Sequence, residues 1–214
     1  DVAGVGGEFW EEYESNKNLY VAPSNSFYRL AISLERPDGK AKPILKYDDF
    51  RRALYLATDR GDFADNVQPP SEGALGYLSN IHQVSEWSNE AYATSDTSLD
   101  QLDDLGLDPD NNGFNSGEAK RLFDKARAAA IENGEYKSDE VIEIEFLYYD
   151  AGSNKRIADW VKAQYEGVFN KDGEPKEFEV KLNAVSSDEL SAQRNAGDFD
   201  LVFTGMSGAT FQAT

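Results

Sequence analysis

Residues 141–149, VIEIEFLYY, alternate apolar and acidic side chains and read as a strand, with Val141, Ile142, Ile144, Phe146 and Tyr148 among its apolar positions. Working outward, Ile157, Trp160, Val161, Tyr165 and Val168 recur at helical spacing on one face. Residues 178–185, FEVKLNAV, alternate again, with Glu179, Lys181 and Asn183 opposite the apolar positions. A short polar helix is expected over 187–195, with Ser186 or Ser187 as its N-cap, and residues 200–204, DLVFT, form a compact buried strand. Strand, helix, strand, helix, strand with short connections is the pattern of a parallel α/β layer, so the fold class expected is α/β, a sheet flanked by helices.

The segment before this unit is less regular. Residues 20–35, YVAPSNSFYRLAISLE, read as extended, with Pro23 confining the start to an edge or bend. Residues 47–66 read as one helix, opened by Asp48 and Asp49, with Phe50, Ala53, Leu54 and Ala57 as its buried stripe and Gly61 as the point of bending. Residues 67–100 carry Pro69, Pro70, Gly73 and Gly76 and favour turns. A second amphipathic helix is expected over 116–133, with Gly134 as its stop. The organisation expected is therefore a strand, helix and long irregular loop over 1–100, then a helix and the β-α-β-α-β portion over 101–214.

The 214 residues hold 21 Lys and Arg against 40 Asp and Glu, a formal net charge of −19. That balance argues against nucleic acid and against an anionic membrane surface, both of which require clustered cations. With 40% hydrophobic residues the chain can build a core, yet no run approaches the roughly 20 apolar residues of a spanning helix. Cysteine is absent, which removes disulfides and thiolate chemistry. The opening DVAGVGGEFW has neither the basic start nor the apolar stretch of a signal peptide, and the close runs straight out of an apolar stretch, so the chain reads as a segment of something larger.

Candidate chemistry is sparse. Asp108, Asp110, Asn112 and Gly113 open like a calcium loop, but the twelfth position is Ala119 and Glu118 falls one residue early. The plainer reading is a turn leading into the following helix. Gly205-Met206-Ser207-Gly208-Ala209 follows a strand and approximates a nucleophile elbow, yet the only His, His82, precedes it and seven residues follow Ser207. Gly4, Gly6 and Gly7 lack the preceding strand of a dinucleotide fingerprint. Tyr77, Trp87 and Tyr92 could line a ligand surface or anchor their own loop.

Three passages together resemble a known family. They are Tyr47 to Leu54 with Ala57 to Arg60; Asn115 to Ala126; and Ile157 to Phe169, Phe178 to Leu182 and Gly197 to Gly205. In order and spacing they are similar to extracytoplasmic solute-binding proteins of the oligopeptide/dipeptide-binding family, the receptors of ABC importers. The resemblance implies one lobe of a two-lobed periplasmic-binding-protein-like fold with a mixed sheet, less than half of a full receptor. It implies as partners an oligopeptide or other small solute, the missing second lobe and the importer's membrane subunits, at an extracytoplasmic, lipid-anchored location, with no catalytic residue, metal or cofactor.

The same resemblance implies ligand contacts at Gly205, Met206, Ser207 and Gly208, with Ser33 and Tyr77 as further candidates. Where the family commonly carries Gly-Trp and then an acid that pairs with the ligand's amino terminus, this chain has Gly205, Met206, Ser207, Gly208 and Ala209. Two alternatives stand beside the receptor reading. One is a serine hydrolase-like enzyme using Ser207 with His82, the other a calcium-stabilised interaction module built on Asp108 to Glu118.

Overall fold

A computed structural model describes residues 9–22, 24–76, 78, 81–85 and 87–207. The helices are α1 (Trp10–Tyr13), α2 (Asp48–Ala57), α3 (Arg60–Asn66), α4 (Asp96–Asp104), α5 (Ser116–Glu132), α6 (Asn154–Phe169) and α7 (Ser187–Ala196). The strands are β1 (Phe27–Ile32), β2 (Ile142–Tyr149), β3 (Phe178–Val185) and β4 (Leu201–Met206). They form one sheet in the order β1-β4-β2-β3.

β2 runs parallel to β3, from Ile142 opposite Phe178 to Tyr149 opposite Val185, and parallel to β4, with Phe146 opposite Leu201. β1 opposes β4 in direction: beyond its end, Ser33 N donates to Asp200 O at 3.1 Å, while its start lies beside Gly205. The sheet is thus mixed, an α/β architecture with helices packed on it.

Contacts divide the chain into two compact units, the first comprising the described parts of Asp1–Arg29, Arg60–Gly113 and Thr204–Thr214, the second Leu30–Asp59 and Phe114–Phe203. The core of the second unit is aromatic. Phe123 stacks on Phe169 with centroids 4.8 Å apart, and Phe178 meets Phe169 edge-on at 5.0 Å. Phe50 of α2 closes the cluster, 6.1 Å from both Phe123 and Phe178. These rings bury the apolar stripes of α2, α5 and α6 together, which is why the helical spacing in the sequence translates into helices. A smaller cluster of Leu147, Phe199 and Val202 receives Leu190 of α7.

Helix ends follow their capping chemistry. Asn115 Oδ1 accepts from Glu118 N at the start of α5, and Gly134, at φ 74°, follows its last turn. At α7, Ser186 and Glu189 form a reciprocal capping box, resolving the two N-cap candidates in favour of Ser186.

Three expectations are corrected. The helix expected over 47–66 is two helices that part at Thr58 and Asp59, not at Gly61. The last carbonyls of α2 are taken by tertiary donors: Leu56 O accepts from Asn115 N at 2.9 Å and Ala57 O from Gln164 Nε2 at 2.8 Å. Those bonds satisfy the helix end without another turn. The extended reading of 20–35 shortens to β1, six residues long, because its ladder partner β4 has only six. The turn-rich stretch 67–100 runs into α4, whose N-cap Ser95 accepts from Ser98 N.

The first unit holds α1, α3 and α4 and a short two-stranded pairing. There Gln83 bridges Ala91 in antiparallel sense, Tyr92 N donates to His82 O at 2.8 Å and Val84 N to Glu90 O at 3.0 Å.

Candidate ligand site at the end of β4

β4 passes from a buried beginning to an exposed end. Leu201 and Val202 are buried, Phe203 and Thr204 half-buried, and Gly205, Met206 and Ser207 exposed, Met206 by 46%. The strand order winds outward from β2 in both directions, and in open α/β sheets the carboxyl ends of strands at such a reversal are the usual ligand position.

Gly205 has a specific steric reason. A Cβ there would lie 3.0 Å and 3.1 Å from ring carbons of Tyr28, so any larger residue would require that ring to shift from its place against the strand. Tyr28 is 51% exposed. It therefore presents an exposed aromatic face against the backbone of Gly205, and the exposed Met206 thioether follows on the next residue of the strand. Tyr28 was invisible in the sequence as a site residue, because only the pairing of β1 with β4 brings it to Gly205.

Of the other residues expected at the site, Gly208 and Tyr77 lie outside the described residues. Ser33 belongs to the second unit, where its Oγ sits 2.9 Å from Gly197 O and 3.0 Å from Glu35 O. Its hydroxyl thus holds the loop after β1 to the αL turn that closes α7, where Gly197 has φ 70°.

The strand's entry is fixed by charge. Asp200 is fully buried, and its carboxylate accepts from Glu145 N at 2.8 Å and from Arg36 Nη1 at 3.2 Å. Arg36 also donates to Asp198 through Nε at 3.0 Å and Nη2 at 2.7 Å, and its Nη1 lies 3.3 Å from Glu145 Oε1. Burial alone would lower the Arg36 pKa, but the hydrogen bonds to Asp198 and Asp200 leave it raised. The hydrogen bonds from Arg36 hold the Asp198 carboxyl below the usual carboxylate range. One guanidinium and three carboxylates thereby tie the loop after β1 to the middle of β2 and the start of β4.

The alternative chemistries find little here. Among the described residues no hydrogen bond joins His82 to Ser207. In the loop at Asp108, Oδ1 accepts from Asp110 N at 3.0 Å, forming the cap of a short turn. Glu118 is engaged in two 2.7 Å hydrogen bonds with Arg121, which lower its pKa. Among the described residues no group of three acidic or imidazole side chains is gathered to hold a metal ion.

Over residues 1–214 the sequence matches the profile of bacterial extracellular solute-binding proteins, family 5, middle region. The chain belongs to this family.

The family 5 chain also superposes on solved solute-binding proteins. A substrate-binding domain of an oligopeptide ABC transporter from Bacillus anthracis str. Ames is 20% identical with a TM-score of 0.69, the match covering 94% of this chain and 34% of that one. Listeria monocytogenes OppA bound to peptide gives a TM-score of 0.70 at 17% identity, covering 95% and 35%. Haemophilus influenzae OppA in complex with RPPGFSPFR gives 0.62 at 15% identity, covering 98% and 35%. At these identities the likeness is one of fold, and the chain spans about a third of the length of these solved relatives. No curated protein sequence matches it. The family is bacterial and extracellular, and among the described residues no helix is long and apolar enough to cross a membrane.

Proposed function

We propose that these 214 residues form one lobe of a two-lobed receptor that captures peptides outside the cell and delivers them to an ABC importer. The observation that carries this reading is the family 5 match along the whole chain, and the likeness in fold to receptors solved with peptide agrees with it. The ligand-facing part is the exposed end of β4, where Tyr28, Gly205, Met206 and Ser207 would meet the peptide through ring, thioether and backbone, with Gly208 and Tyr77 as further contacts. Ser33 would act indirectly, by holding the loop after β1.

In this proposal a second lobe supplies the rest of the enclosure, and closure of the two lobes is what the importer's membrane subunits sense. A lipid anchor would keep the whole receptor at the cell surface. The work is binding and handover, without catalysis. One lobe encloses only part of a ligand, so the 214-residue chain alone should bind weakly.

The test is a thermal-shift screen of the complete receptor against peptides, oligosaccharides and metal chelates. Peptides should raise the melting temperature, and Tyr28→Ala should weaken the best peptide about tenfold, the scale of losing one aromatic contact. A shift produced by sugars or chelates but by no peptide would overturn the peptide assignment.

A further inference from the structure

Charge is unevenly placed along the chain. The 59 residues from 61 to 119 hold twelve of the 40 Asp and Glu and none of the 21 Lys and Arg. Within this stretch α4, DTSLDQLDD, has no buried residue, and Leu99 on it is 40% exposed. Beside α4 lies a groove of about 570 Å³, lined by Leu99, Asp100, Asp103, Leu107, Asp108 and Pro109 among others. That volume is within the range of about 300–1,000 Å³ typical of ligand clefts.

Three features define what would fit. Leu99, Leu107 and Pro109 offer apolar surface that only an apolar group would keep dry. Asp100 and Asp103, one helical turn apart and so on one face, have no described Lys or Arg paired with them, and neither has Asp108. The carboxylates are also not gathered about one point as a metal ion would require. Several separated negative charges around an apolar floor complement several separated positive charges around an apolar anchor.

We propose that the groove beside α4 is a docking surface for a basic, amphipathic polypeptide segment, with a Leu-like side chain in the groove and Lys or Arg on Asp100, Asp103 and Asp108. This surface is independent of the ligand-facing end of β4 and does not rest on the receptor reading.

The experiment titrates the 214-residue chain into a fluorescently labelled lysine and leucine peptide of about twelve residues, ~18 Å long as a helix. Saturable one-to-one binding that weakens with added salt is expected, with none for the counterpart carrying Glu in place of Lys. Asp100→Asn with Asp103→Asn should weaken binding about fivefold, the scale of two exposed ion pairs, and Leu107→Ser should weaken it separately. Glu132→Gln with Asp172→Asn removes the same charge elsewhere and should leave binding unchanged. The proposal is overturned if that control loses as much as the groove variants, if spermidine binds as tightly as the peptide, or if no saturable binding occurs.

Discussion

Arg36 carries more of the fold than its place in a loop suggests. Its side chain is 10% exposed, and it meets three carboxylates, one of them the fully buried Asp200. Removing one partner of a buried ionic group strands the other charges, so Arg36→Met should cost about 3 kcal/mol. At this chain length that corresponds to a fall in Tm of roughly 6–12 °C, measurable by calorimetry. Acid should act through the same group. The folded pKa of Asp198 lies below the ~3.9 of an unfolded aspartate. Its contribution is therefore complete above about pH 4 and is lost as pH falls through the depressed value. Melting scans below pH 4 should show a shallower decline in Arg36→Met than in the parent chain; equal slopes would contradict the assignment. Nothing in the sequence marks this network, because Arg36 and its partners Asp198 and Asp200 are 162 and 164 positions apart. The same holds for Tyr28 against Gly205, a contact created by strand pairing alone.

Elements were legible where one segment's own pattern decides them. β2, α5, α6, β3 and α7 follow from alternation, helical spacing and caps, and all five were expected near their observed bounds. Where a neighbour decides the boundary, the pattern misleads. The break between α2 and α3 depends on Gln164 and Asn115 taking the carbonyls of Ala57 and Leu56. Gln164→Leu should leave the Ala57 carbonyl without its donor and cost about 1–2 kcal/mol in urea unfolding; no measurable loss would mean that water serves that helix end equally well. Ser186→Ala removes the capping box of α7 and should cost about 1 kcal/mol. α4 escaped notice because the Pro and Gly of residues 67–76 set the tone of the whole stretch, although Ser95, Asp96, Leu99 and Leu102 form a capped helical pattern.

At the scale of the molecule, the family was legible in the passages that form α2, α5, α6, β3 and β4, and the matching profile spans residues 1–214. The candidate site was legible as a strand end but not as a surface: its glycine was visible, its aromatic partner was not. In the proposed receptor, peptide is met at the carboxyl end of β4. Hydrogen exchange on the complete receptor, with and without a peptide that stabilises it, tests this most directly. The amides of Gly205, Met206 and Ser207 should gain protection on binding, and Tyr28→Ala should diminish that gain. Protection confined to other segments, with these three amides unchanged, would contradict it.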